Sequence, residues 1–387
     1  MKLALITEII APYRVPVFNA LARHPGLDLH VIFLAENDAR RRQWRIYKEE
    51  IEFSHEVLPS YRGSMGGRDI LLNWGLGSAL SNCDPAAIVC GGYNYAASWI
   101  SQTWARRKGV PFFAWVESNR RDLRTHSRWR ELLKKKFLNG CSGFLVAGQS
   151  SFDYLNSYHL PREKIFTAPN AVDSDLFASC ANAARENNDV RRRLRLPERF
   201  FLFVGRMVRD KGIFDLLEAY RLLPADIRRG VGLVFAGDGP DRAQLERAAE
   251  LIHPGNIVFS GFVQRDDLPA YYGSADLFIL PTHSDAWGLV VNEAMACGLP
   301  IICTAAAGCV EDLVTDHWNG RIVAPYDVHQ LTAALVELAT NIALRSVMGT
   351  RSRERIAAYS PQTCADGIAA AVLSLRPSPA GRMLHAC

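Results

Sequence analysis

The chain lacks any apolar run approaching the roughly 18 residues that a membrane-spanning helix requires, so no such helix is expected. Its nine cysteines are scattered and contain no Cys-x-x-Cys pair, which removes structural zinc and points to a reduced, cytoplasmic setting. The opening does not read as a secretory leader either. The opening MKLALITEIIAPYR has no small-residue cleavage site and carries Glu8 and Pro12 in or beside its apolar run, so it reads as a first strand. Internal repeats and low-complexity tracts are missing, so no repeat array is expected. Neither sign of charge dominates: the net value is only +5, and no nucleic-acid recognition motif accompanies it.

What is present is an ordinary globular composition, 49% apolar and 22% charged, over 387 residues, long enough for two domains. Short apolar runs recur in two sets of six. The first comprises 3–7, 29–34, 86–90, 111–116, 143–147 and 165–169. The second comprises 200–205, 232–237, 257–262, 277–281, 300–304 and 321–325. Most are continuous rather than alternating, as strands covered on both faces by helices must be. Helical spacing falls between them, for example in Val15–Arg23, Ser98–Lys108, Phe214–Leu223 and Asp241–Leu251. The pattern predicts an α/β protein of two doubly wound domains. Residues 1–172 form the first and 173–358 the second. The hinge region is expected near 171–180, the first part of the polar stretch 178–196 is a surface insertion or helix, and a last helix spans about 359–376.

Chemistry concentrates in Thr282–Pro300, THSDAWGLVVNEAMACGLP. An acid, Asp285, precedes a glycine at the mouth of an apolar helix, and a second acid, Glu293, lies within that helix. Amides of Gly288, Leu289 and Val290 fall on the first helical turn, where they have no intrahelical partner and the dipole favours anions. A phosphate there would have Asp285 on one side and Glu293 about a turn deeper. Acid, seven residues, Glu, in this Gly-helix-Gly-x-Pro setting, resembles the signature of family 4 retaining glycosyltransferases, which have the GT-B architecture. Two positions depart from it: the usual first Glu is Asp285, which keeps the charge on a shorter arm, and the usual Phe is Trp287.

The resemblance extends to VGRMVRDKG at 204–212, where Arg206 and Lys211 would neutralise the departing diphosphate, and to the GDGP turn at 237–240, whose role is structural. It implies that Glu293 binds ribose hydroxyls and that Asp285 meets hydroxyls of the transferred sugar. Phe262 and Val263 would lie where the backbone reads the nucleobase, and no metal or cofactor is needed beyond the nucleotide-sugar co-substrate. Asp173-Ser-Asp175 has the form of a metal-binding Asp-x-Asp, but its setting PNAVDSDLF resembles the family's inter-domain element, and the structural reading is preferred.

In the first half, Arg14 opens a helix and could contact the donor diphosphate, an anionic acceptor, or solvent alone. Tyr93 and Tyr95 follow a strand and serve either as a sugar platform or as packing. Glu117 ends a strand where relatives often carry His, and could orient the acceptor hydroxyl or the donor sugar. Between residues 120 and 137, eight Arg and Lys side chains alternate with Trp129, Leu132, Leu133 and Phe137. This basic amphipathic stretch suits an anionic membrane surface near a lipid-linked acceptor, or is simply a solvated helix.

The sequence thus predicts a retaining, metal-independent hexosyl- or glycosyltransferase with the GT-B fold, its lobes facing a cleft and its last helix crossing back to the first lobe. It would act in cell-surface polysaccharide or lipopolysaccharide assembly, on a sugar or lipid-linked sugar acceptor. Two alternatives are a GT-B nucleotide-sugar 2-epimerase and a non-catalytic carbohydrate- or membrane-binding module.

Overall fold

The computed structural model describes residues 1–38, 43–65, 68–119, 128–253 and 255–374. Two parallel sheets carry the molecule. The first takes β1 (Lys2–Thr7), β2 (Asp28–Phe33), β3 (Ser54–Val57), β6 (Ala87–Gly91), β7 (Phe112–Val116), β8 (Gly143–Val146) and β9 (Ile165–Thr167), in spatial order β3-β2-β1-β6-β7-β8-β9. Between β3 and β6 the chain makes an antiparallel hairpin, β4 (Ser60–Met65) with β5 (Arg68–Asn73). The second sheet takes β10 (Phe200–Val204), β11 (Gly232–Ala236), β12 (Ile257–Gly261), β13 (Leu277–Leu280), β14 (Ile301–Thr304) and β15 (Gly320–Val323), in order β12-β11-β10-β13-β14-β15.

All twelve apolar runs of the sequence are strands. The central ones, such as FFAWV in β7 and FFLFV in β10, are buried along their whole length. Helices pack on both faces of each sheet, so no alternation survives in the sequence. β3 and the hairpin are strands the sequence reading did not find. SHEV in β3 sits on the sheet edge and is largely exposed, so it lacks the apolar run by which its neighbours are recognised. The stretch 178–196 is helical: Ser174–Glu186 is followed by Asn188–Arg193.

Helix Ser174–Glu186 buries Phe177 and Ala181 in the core of the second lobe, against Leu268–Ser274 and Leu289–Ala296. Its N-cap is Asp173, whose side chain accepts from the Leu176 amide at 3.0 Å; the Asp-x-Asp triplet begins a helix. The terminal helix Pro361–Leu373 returns to the first lobe. It packs on Val15–Ala22 and on β8 and β9, burying Cys364, Ala365 and Ile368 with Leu3, Leu5 and Val15. Eight cysteines lie in the described residues; all are free thiols and seven are buried. Among the described residues no single helix is long and apolar enough to cross a membrane.

Strand order reverses between β1 and β6 in the first sheet and between β10 and β13 in the second. Right-handed crossovers from such a point leave on opposite faces, opening a crevice at the carboxyl ends of the strands. The two principal cavities lie at these crevices.

Candidate active site

The larger cavity, about 660 Å³, opens at the carboxyl ends of β10 and β11. Arg206, Phe262, Val263, Leu289, Val290 and Glu293 all line it. The turn after β11 packs on the turn after β10. Gly237, at φ +149°, lies so close that an added Cβ would stand 1.9 Å from the Gly205 carbonyl oxygen, and the Met207 amide donates to the Asp238 carbonyl at 2.9 Å. The GDGP turn is therefore a packing device that also forms part of the wall.

Helix Leu289–Ala296 points its N-terminus at this cavity. Its N-cap is Gly288, left-handed at φ +94°, and no side chain caps the first turn. A Cβ added at Gly288 would stand 2.8 Å from Leu280 Cδ2, so the cap position calls for glycine, and a first helical turn without side-chain caps is where an anion binds. One turn on, Glu293 accepts a hydrogen bond from the fully buried Tyr272 hydroxyl at 2.7 Å. Burial raises the Glu293 carboxyl to about 7, against which the Tyr272 bond works. Tyr272, from helix Leu268–Ser274, was not singled out in the sequence, where its aromatic ring reads as core.

Lys211 and Asp285 form an ion pair, both side chains largely sheltered. They are brought together by stitching between their loops: Thr282 Oγ1 and the His283 amide both donate to the Asp210 carbonyl, at 3.0 and 2.8 Å. Arg206, exposed on the cavity wall, has no ion pair among the described residues. Trp287 is buried, and its indole N–H donates to Asn292 Oδ1 at 2.9 Å. Asn292 in turn donates to the Asn170 carbonyl at 2.9 Å, tying this loop to the inter-lobe crossing. An indole needs such a partner where phenylalanine would not.

The smaller cavity, about 230 Å³, opens at the carboxyl ends of β1, β6 and β7. Arg14 and Glu117 line it and form an ion pair, Arg14 lying with its guanidinium carbon 4.1 Å from the Trp115 ring centroid. Arg14 therefore belongs to the first lobe's cavity and not to the wall of the larger one. Burial works against its charge, but Glu117 more than offsets this and the guanidinium titrates above its ordinary range. Tyr93 and Tyr95 line the same cavity. Tyr93 hydrogen-bonds Tyr154 at 2.7 Å, so it serves cavity and packing together.

Tyr13 and Trp44 line both cavities. The lobes also touch directly. Asn119, two residues past Glu117 and buried, donates to the Asp285 carbonyl at 2.8 Å. Arg265 bonds both carboxylate oxygens of Glu50, at 2.8 Å for one of them, and stacks on Tyr47 at 3.8 Å; Gln264 accepts from the Arg45 amide at 3.0 Å. These bridging residues carried no signal in the sequence, because their partners lie more than 160 positions away. Residues 120–127 of the basic stretch lie outside the described residues. The rest forms helix Arg128–Asn139, on which Trp129, Leu132 and Leu133 are exposed. Among the described residues no three His, Cys, Asp or Glu side chains cluster as a metal site would.

Residues 184–355, nearly all in the second lobe, match the family model for glycosyl transferases group 1. The chain is 27% identical over 222 residues to the O-antigen chain mannosyltransferase B of Escherichia coli, covering 57% of each chain. It is 37% identical over 149 residues to the putative teichuronic acid biosynthesis glycosyltransferase TuaC of Bacillus subtilis, covering 38% of this chain and 35% of the relative. It spans about half the length, or less, of these curated relatives. Among solved structures, Anabaena Alr3699/HepE in complex with UDP superposes with a TM-score of 0.75 at 18% identity, covering 97% of this chain and 100% of that one. WaaG, a glycosyltransferase involved in lipopolysaccharide biosynthesis, superposes at 0.68 and 17% identity, covering 96% and 99%. The fold is GT-B, and the similarity to group 1 glycosyl transferases is carried by the lobe that holds Arg206, Lys211, Asp285 and Glu293.

Proposed function

We propose that this protein is a retaining glycosyltransferase that moves a sugar from a nucleotide-diphosphate donor to an acceptor hydroxyl without a metal ion. One observation carries the reading. A single cavity joins an uncapped helix N-terminus at Leu289 and Val290, an exposed cation at Arg206, and a half-buried acid at Glu293. That set matches the two ends of a nucleoside diphosphate, since the amides and Arg206 suit the phosphates and Glu293 the ribose hydroxyls. The group 1 family match and the UDP complex of HepE support the same ligand class.

The Lys211–Asp285 pair is not part of that wall, and substrate would divide it: Lys211 towards the diphosphate, Asp285 towards hydroxyls of the transferred sugar. In the step itself the acceptor oxygen bonds to the anomeric carbon, and the bond from that carbon to the phosphate oxygen breaks. The acceptor's proton passes to the leaving phosphate on the same face. Arg206, Lys211 and the helix amides stabilise the negative charge that develops there, a contribution typically worth about 3–4 kcal/mol per well-placed donor. The relatives in O-antigen and teichuronic acid synthesis favour a surface-polysaccharide pathway. Trp129, Leu132 and Leu133, set beside Lys135 and Lys136 on helix Arg128–Asn139, favour work at an anionic membrane face.

Thermal-shift titration with uridine, guanosine and adenosine diphosphates tests the reading. One of them should raise the midpoint, and Lys211→Ala should lose turnover by about 100-fold or more with EDTA causing no loss. Chelator-sensitive activity, or no stabilisation by any diphosphate, would refute it. Product formed with inverted anomeric configuration would remove the retaining assignment, and epimerised donor formed without acceptor would transfer the case to the 2-epimerase alternative.

A further inference from the structure

We infer that His283, held by Asp215, is a positioning residue: it keeps the Lys211 and Asp285 loops in register once substrate has divided their ion pair. The inference rests on the transferase reading and concerns the same site.

The two loops first meet through their backbones. Gly212, next to Lys211, lies at φ +67°, and an added Cβ there would stand 1.9 Å from the Pro281 carbonyl oxygen. Only glycine allows so close an approach. Thr282 Oγ1 and the His283 amide both donate to the Asp210 carbonyl, while Thr304 Oγ1 from β14 donates to the Thr282 carbonyl. Two side-chain ties then cross this seam. One is Lys211–Asp285. In the other, His283 Nε2 donates to Asp215 Oδ2 at 2.7 Å. His283 stands just before Asp285 in the chain, and Asp215 lies about one helical turn past Lys211, in helix Ile213–Arg221. The second tie therefore spans the same two loops and uses neither group assigned to substrate.

The imidazole is also oriented. It stacks on the Tyr326 ring with centroids 3.8 Å apart. Tyr326 is 69% exposed, so it adds little to the core, and its backbone is left-handed at φ +67°, which glycine accepts and tyrosine resists. Strain kept at an exposed aromatic points to the stack as its use. The His283 and Asp215 side chains are only 15% and 26% exposed, which shelters their bond from water.

In the free protein both ties hold, and either one keeps the loops together. When Lys211 turns to the diphosphate and Asp285 to the sugar, His283–Asp215 is the tie of the two that persists. A displacement of about 1 Å can cost up to about 100-fold in rate. The loss should thus fall on turnover more than on donor affinity or stability.

Nucleoside diphosphate release from UDP-glucose, GDP-mannose and ADP-glucose by the full chain measures kcat and donor KM. His283→Ala should lower kcat about tenfold and leave donor KM within about threefold. A glutamine amide can stand where Nε2 does, so His283→Gln should recover kcat to within about threefold, whereas the shorter His283→Asn should not. Tyr326→Gly relieves the backbone, so it should keep the wild-type thermal midpoint and still lower kcat several-fold. A thermal cycle tests the tie without turnover: Lys211→Met with His283→Ala should lower the midpoint by several degrees more than the two single shifts added. Equal losses in His283→Gln and His283→Ala would overturn the proposal. So would a lower midpoint with unchanged kcat in Tyr326→Gly, or additive midpoints in the cycle. Failure of every nucleoside diphosphate to bind wild type would instead sink the transferase reading, and the thermal cycle would still decide the tie.

Discussion

Glu293 shows what a single residue adds once its surroundings are known. Its carboxyl, ordinarily near 4.5, is raised to about 7 by burial, with Tyr272 opposing. A raised folded-state value means that the folded protein holds the proton more tightly than the unfolded chain does. The associated stability is present in full below about 4.5 and is lost as pH rises through about 7. Glu293→Gln should therefore unfold at higher denaturant than wild type at pH 8, by about 2 kcal/mol, and show little difference at pH 4.5. Under the proposed function ribose hydroxyls would donate to the ionised form, so nucleotide affinity should fall as pH drops below about 7, approaching tenfold per unit. Calorimetry at several pH values should show this slope in wild type and its absence in Glu293→Gln.

Among the elements, helix Leu289–Ala296 and the turns after β10 and β11 shape the larger cavity. The helix was legible because Gly288 and Gly298-Leu-Pro300 bracket an apolar stretch, and because parallel strands bury both faces and so appear as continuous runs. The edge strand SHEV and the β4–β5 hairpin were not legible, because a half-exposed edge carries no such run. The GDGP turn is closely packed at the site. Gly237→Ala places a methyl 1.9 Å from the Gly205 carbonyl in a left-handed conformation that alanine resists. It should destabilise the second lobe by at least about 2 kcal/mol, and a urea titration followed by tryptophan fluorescence would detect the shift. The same change should weaken nucleotide binding, since both turns line the larger cavity.

For the whole molecule, the relation between the lobes matters most. Arg265 reaches from the second lobe to Glu50 and the Tyr47 ring of the first while also lining the larger cavity. Arg265→Ala should leave the core intact and lower the thermal midpoint by only a few degrees, but it should loosen closure. Small-angle scattering should then report a larger radius of gyration, and donor KM should rise by about tenfold. The exposed face of helix Arg128–Asn139 is a second molecular-scale feature. Wild type should sediment with vesicles containing phosphatidylglycerol and not with pure phosphatidylcholine, and Trp129→Ser with Leu133→Ser should abolish this without changing turnover on a soluble acceptor.

The sequence by itself determined the two parallel sheets and the acid–helix–acid element, because continuous apolar runs, terminating glycines and prolines, and acid spacing are local properties of a chain. Only the tertiary structure decided who meets whom. Lys211 pairs with Asp285 across 74 residues, Arg14 with Glu117 across 103, and Asn119 reaches Asp285 across 166. These contacts depend on which strand ends the sheet order brings side by side, and that order follows from crossover handedness and packing of the whole lobe, which no local pattern records.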